Sequence, residues 1–172
     1  MGKVVVVDKN DEQIGAVDKT EAIEKGMIRR ISRVFMFNDK GEVFLQRRSE
    51  NKDTFPGAWD ESAGGHVDEG ESYEEAARRE LREELGVRPG GLEKVAKFYI
   101  EEMDRGRILR QFSVVFEAKY SGEIINLQKD EISDGKWFLP SLVDKMMSDN
   151  EEDFPPGFVR AWAEYKRIKQ LV

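Results

Sequence analysis

Glu80, Glu83 and Glu84 stand at i, i+3 and i+4. On a helix that spacing gathers their carboxylates on one face, where three close anions repel one another. A hard divalent cation with oxygen ligands relieves such repulsion, and Mg2+ bridges carboxylates to substrate phosphates while keeping some of its water. A cation held this way polarises phosphoryl oxygens and acidifies a bound water, so the cluster could serve hydrolysis of a phosphate anhydride. The plainer reading is a solvated charged face, because Glu forms helices well and 37% of the residues are charged. Glu74 and Arg78, at i and i+4, read as such a surface pair.

The helix that would carry the cluster is signalled at both ends. Ser72 is an N-cap and Glu75, three residues on, completes a capping box. Gly86 closes it, since glycine takes a left-handed cap most easily. Tyr73, Ala77, Leu81 and Leu85 recur every four residues and form the stripe to be buried. Upstream, Val4–Val7 and Ile14–Val17 predict a leading hairpin, and Ile28–Phe37 and Glu42–Gln46 around Asp39-Lys40-Gly41 a second. Ser49–Glu61, with Pro56-Gly57, reads as an irregular loop. Downstream come strands near Val95–Met103, Ile108–Tyr120 and Lys136–Leu139, then helices near Ser141–Ser148 and Pro156–Leu171. Phe158, Trp162, Tyr165 and Leu171 give the last helix an apolar stripe, for core packing or a homodimer contact. Strands on both sides of one central helix imply a mixed sheet.

At 172 residues the chain suits a single domain, 1–172, with a substantial core. It contains no cysteine, which excludes a disulfide framework and a thiolate metal site. The valine run inside Met1–Val7 is far too short for a signal peptide or a membrane span, so a soluble cytoplasmic protein is the expectation. A net charge of −7 argues against broad nucleic-acid binding. It leaves a small phosphorylated substrate open, because a bound cation can supply the local positive field.

From Gly65 to Val87 the residues follow G-x5-E-x7-R-E-L-x-E-E-x-G-V, with Glu71, Arg79, Glu80, Leu81, Glu83, Glu84 and Gly86 in their places. This segment, 65–87, resembles the box of the Nudix (MutT-like) hydrolases with no position missing. The resemblance weighs against the solvated-face reading and implies an α+β fold, an α/β/α sandwich around a central mixed sheet. It further implies that Glu83, Glu84 and the carbonyl of Gly65 hold Mg2+ (or Mn2+). Glu80 lies at the metal and in some members deprotonates the water. Glu71 and Arg79 pair to brace the loop against the helix. A glutamate ahead of a tryptophan such as Trp137 often adds a ligand or the general base, which picks out Glu131, with Glu101, Glu102 and Glu117 as competitors.

A second resemblance lies upstream. Gln46-Arg47-Arg48-Ser49, Lys52, Pro56-Gly57, Trp59, Gly65-His66 and Gly70-Glu71-Ser72 are similar to the isopentenyl-diphosphate isomerases, a branch of the same superfamily. Those enzymes use a cysteine just ahead of the Gly-His pair and several histidines for a metal. Here the first position is Gly64, and His66 is the single histidine. The resemblance therefore implies a hydrolase of the isomerase-like branch that cleaves a pyrophosphate bond in a nucleoside diphosphate derivative. The alternatives are a non-catalytic ligand-binding or regulatory Nudix domain and a pyrophosphohydrolase of RNA 5′ ends. Among substrate-binding candidates, Arg47 and Arg48 end a strand, so only one can face the pocket and fork onto phosphate. His66 is read as a ligand or substrate contact, or else as packing, and Trp59 as a base-stacking platform or a core residue.

Overall fold

The ten-residue strand Ile28–Phe37 organises the molecule, because its alternating side chains feed two separate cores. In the computed structural model, which describes residues 2–171, it is the third strand, β3. Met1 and Val172, the ends of the expected 1–172 unit, lie outside the described residues. Before β3 come β1 (Lys3–Val7), β2 (Gln13–Asp18) and a short helix α1 (Lys19–Glu24). After it come β4 (Val43–Arg48), β5 (Trp59–Asp60), β6 (Ala63–His66), helix α2 (Tyr73–Leu85), β7 (Leu92–Asp104), β8 (Arg107–Lys119) and β9 (Ile132–Phe138). Helices α3 (Pro140–Asp149) and α4 (Pro156–Lys169) follow.

The sheet is mixed, as the fold class requires. β3 runs parallel to β8 from Ile28↔Arg110 to Phe37↔Lys119 and antiparallel to β1, β4 and β6. β7 pairs antiparallel with β8, and β4 with β5 and β9. On one face Val34 and Met36 of β3 meet Val114, Phe116 and Ala118 of β8 and the Ala77, Leu81 and Leu85 stripe of α2. On the other, Phe35 and Val115 pack against Val143 of α3 and Phe158, Trp162 and Tyr165 of α4. Two helical layers around one sheet give the α/β/α sandwich. No helix among the described residues is long and apolar enough to cross a membrane.

The helix ends follow the local chemistry. Ser72 Oγ accepts from the backbone N–H of Glu75 at 3.2 Å while Glu75 Oε2 accepts from that of Ser72 at 2.8 Å. Gly86 takes φ 71° at the C-cap. Several readings change, and Ala63–His66 is a strand where none was expected. Helix α1 stands where no element was expected; it is capped by Asp18 Oδ1, which accepts from Thr20 N at 2.8 Å. Within the expected loop Ser49–Glu61, Trp59 and Asp60 form β5 because Arg47 and Gln46 of β4 offer them an edge. β9 begins at Ile132 rather than Lys136, pairing with Arg48 across a register shift. Leu171 lies beyond α4 and is exposed, so the buried stripe ends at Tyr165.

One polar cluster pins the first hairpin to α2. The buried Asp11 accepts from Arg30 Nε at 2.7 Å and from Tyr73 Oη at 3.0 Å and also pairs with Lys97. Burial alone would raise its pKa, but Lys97 and Arg30 together hold the carboxyl below the usual range. A depressed carboxyl stabilises the fold above its unfolded value of 3.8, and that contribution is lost as pH falls through it. Asp11→Asn keeps a residue tolerant of the positive φ of 62° but removes the charge. Urea unfolding at pH 7 should show a cost of about 2 kcal/mol, which becomes smaller as pH falls below 3.8. An equal cost above and below that value would disprove the ionic account.

Candidate active site

The antiparallel pairing of β6 with β3 decides what faces what. Directly opposite residues share a face, so Gly65 joins Ser32 on the α2 side, and His66 joins Ile31 on the other. On the α2 side the polypeptide comes very close to the helix. A Cβ built on Gly65 would collide with the Glu80 carboxylate, so glycine here lets that carboxylate lie against the backbone of β6. Glu84 Oε2 accepts from the backbone N–H of Gly64 at 3.1 Å and from Gln46 Nε2 at 3.0 Å. Arg79 holds the loop to the helix. Its Nε and Nη2 donate to Glu71 Oε1 and Oε2 at 2.7 and 3.0 Å, Nη2 also donates to the carbonyl of His66 at 2.9 Å, and Nη1 donates to Glu80 Oε1 at 2.7 Å. Glu83 is half exposed, 3.3 Å from Arg79 Nη1.

Gly64, Gly65, Glu80, Glu83 and Glu84 edge a chamber of about 290 Å3 that Lys19, Lys52, Gln128 and Glu131 also line. Its electrostatics are uneven. Burial pushes the Glu84 carboxyl up to about 8, with the neighbouring charge of Glu80 adding to the effect. Burial also raises Glu80, against the pull of Arg79. Glu131 behaves oppositely: burial would raise it, but the Lys52 ammonium bonded to it, aided by Lys19 and Arg48, keeps it low. Among the described residues no three carboxylates or imidazoles converge on one point as a preformed cation cage. The donor set nonetheless suits a hard divalent ion. Glu84 is a buried carboxyl whose charge a cation would stabilise, Glu80 lies partly buried beside it, Glu83 is half exposed, and the carboxylate oxygens are of the type Mg2+ takes.

The remaining candidates separate. Arg48 lines a second, smaller space, its Nη1 donating to Asp60 Oδ2 at 3.0 Å and its Nη2 to the carbonyl of Thr54 at 2.8 Å. Arg47 lines neither space, and its guanidinium lies 5.8 Å over the Trp59 ring. Trp59 packs edge-on against Phe138 at 5.2 Å in the α4 core and lines neither space. Of Glu131's competitors, Glu101 is exposed and accepts from Tyr99, Glu117 accepts from Tyr165 under α4, and Glu102 accepts from Gln111 and the N–H of Gly157. None of the three edges the α2 chamber. His66 Nε2 lies 3.0 Å from Arg29 Nη1. A guanidinium only donates, so Nε2 must accept and the ring proton sits on Nδ1. Burial and then Arg29 keep this imidazole well below its usual pKa and therefore neutral.

Comparison with known proteins fits this geometry. A family profile for the NUDIX domain matches residues 27–158, from the start of β3 into α4. The chain belongs to the Nudix family. An uncharacterized Nudix hydrolase of Pseudomonas aeruginosa is 38% identical over 136 residues, covering 79% of this chain and 78% of that one. An isopentenyl-diphosphate Delta-isomerase 2 of Photorhabdus laumondii is 40% identical over 136 residues, covering 78% and 75%. A crystal structure from Deinococcus radiodurans superposes with a TM-score of 0.71 at 29% identity, covering 86% of this chain and 90% of that one. As a Nudix hydrolase the chain has a general pyrophosphate-cleaving role, and such hydrolases generally use divalent metals.

Sequence reasoning missed three Nudix-site residues, Lys19, Arg29 and Gln46. Gln46 reads as a strand residue and as part of the isomerase-like stretch, with no role assigned, yet it holds the carboxylate of Glu84. Arg29 shares a strand face with Ile31, Arg33 and Phe35, and its burial there becomes visible only in the folded sheet. Lys19 belongs to α1, which carried no periodic signal long enough to read.

Proposed function

We propose that this Nudix chain, acting as one unit, is a Mg2+-dependent hydrolase of a pyrophosphate bond in a nucleoside diphosphate derivative. The observation that carries the proposal is the buried carboxylate of Glu84 and the partly buried one of Glu80, with Glu83 beside them, against the backbone of Gly64 and Gly65. Glu83, Glu84 and the carbonyl of Gly65 would hold the cation, which when bound would polarise the phosphoryl oxygens and acidify the attacking water. Glu80, whose basicity burial has raised, takes the water's proton. Lys52 and Arg48 bind phosphate oxygens, and Glu131 steadies Lys52 and assists the cation. Arg79 and Glu71 keep the loop and helix in register. The test is a panel of nucleoside di- and triphosphates, nucleotide sugars, dinucleoside polyphosphates and prenyl diphosphates with Mg2+. Metal-dependent cleavage of a nucleotide supports the reading, and binding of a nucleotide without any cleavage would favour a ligand-binding Nudix domain.

The isomerase relatives raise the competing chemistry, and Gly64 argues against it. A Cβ there would meet the carbonyl oxygen of Ser32 at 2.9 Å and Glu61 Oε1 at 2.5 Å, so a cysteine has no seat without backbone movement. We expect the wild type to leave isopentenyl diphosphate unchanged. Gly64→Cys should also yield no dimethylallyl isomer and should lose about 1–3 kcal/mol of stability through overpacking. Isomer formation at an enzymatic rate by either protein would overturn this branch assignment.

A further inference from the structure

On the far side of β6 from α2 lies a second chamber of about 100 Å3. It shares Lys19, Lys52, Gly64, Gly65 and His66 with the carboxylate chamber, so the two adjoin across that strand. Its inner wall holds Arg29, which is 2% exposed. One of its nitrogens, Nη1, meets His66, while Nε and Nη2 have no hydrogen-bond partner. Buried N–H donors of a charged group left unmade are costly and are rarely tolerated without an occupant. Beside it Arg33 is paired with Glu61 and Arg48 with Asp60, while Lys52, paired with Glu131, keeps further N–H donors. Glu102, the carboxylate nearest in effect to Arg29, is held by Gln111 and Gly157. Among the described residues Lys19 and Arg29 form no ion pair.

We propose that Arg29 anchors the terminal, uncapped phosphate of the substrate in this inner chamber. The inference rests on the hydrolase reading and narrows its substrate class. A guanidinium presents paired N–H donors that match two phosphate oxygens, and the adjoining chambers let a phosphate chain run from Arg29 past Lys19 and Lys52 to the carboxylates. The size favours a small group: at about 100 Å3 the chamber is smaller than the cavity of about 150 Å3 that holds benzene, which suits a phosphoryl group better than a sugar or base ring. Nucleoside di- or triphosphates with a free end are therefore favoured over nucleotide sugars and dinucleoside polyphosphates.

The single histidine supplies the probe. In chelator-treated protein, inorganic phosphate should shift the His66 ring resonances in a saturable way. Arg29→Gln should weaken that binding about 10–100-fold, the loss expected for hydrogen bonds to a charged group. Should Arg29→Gln fail to fold, Arg29→Lys reads the same effect, keeping the charge but losing the paired donors. With Mg2+, kcat/KM for a nucleoside triphosphate should fall by a similar factor in the variant while that for a nucleotide sugar stays within about threefold. No phosphate-dependent shift in the wild type, or undiminished affinity in a folded Arg29 variant, overturns the proposal. Phosphate binding through Arg29 in a protein that cleaves no nucleotide would instead leave the subsite standing and remove the hydrolase reading.

Discussion

Glu84→Gln should abolish activity and stabilise the metal-free protein at the same time. The glutamine keeps an oxygen to accept from Gly64 and Gln46 but gives up the charge the cation needs. Losing a ligand charge that stabilises the transition state is worth several kcal/mol, so kcat/KM should drop by about 10³-fold or more. The stability effect has the opposite sign. With its folded pKa raised to about 8, Glu84 binds a proton more tightly in the native state than in the unfolded chain. Its favourable contribution is complete below the unfolded value of 4.5 and is lost as pH rises toward 8. Metal-free wild type should therefore melt lower at pH 8 than at pH 5, a slope that Glu84→Gln flattens. Each 1 kcal/mol recovered appears as about 2–4 °C in Tm. Mg2+ should restore the wild type by mass action and leave the variant nearly unmoved. Wild-type turnover by Glu84→Gln, or a variant that melts below the wild type at pH 8, would contradict the assignment.

The second large effect separates the base from its helper. Glu80→Gln should lower kcat by about 10²–10⁴-fold with the Mg2+ requirement nearly unchanged, the mark of lost proton transfer. Glu131→Gln should act differently, because that carboxylate is ion-paired with Lys52 and kept acidic, which makes it a poor base but a good partner for a cation or for Lys52. Its loss should raise the Mg2+ concentration needed and be partly rescued by excess metal. Near-normal kcat for Glu80→Gln at saturating Mg2+ would transfer the base role to Glu131.

The contrast between what the residues disclosed and what they hid has a physical origin. Helix α2 was legible to the residue because its signals are local: a capping box at Ser72, a four-residue apolar repeat and a left-handed Gly86. The long strands were legible for the same reason, through their alternation. β5 and β6 were not, since Trp59–Asp60 and Ala63–His66 are extended only because distant β4 and β3 offer paired edges. Alternation said that only one of Arg47 and Arg48 could enter the pocket. Which one depends on the register shift opposite Ile132, a tertiary fact. The carboxylates were named from spacing, but that Glu84 is buried against Gly64 while Glu83 is half exposed required the β6–α2 approach. Arg29 was hidden because an arginine in a strand reads as solvent-facing until both faces of the sheet are known to be covered.

The most direct test of the central claim follows the water. The nucleotide turned over fastest should be cleaved with Mg2+ in H2(18)O, and the products examined by phosphorus NMR. The account predicts one labelled oxygen on a phosphorus of one product for each bond cleaved, and no label when chelator removes the metal. Label appearing at the same rate with chelator present, or products whose phosphorus carries none, would contradict it.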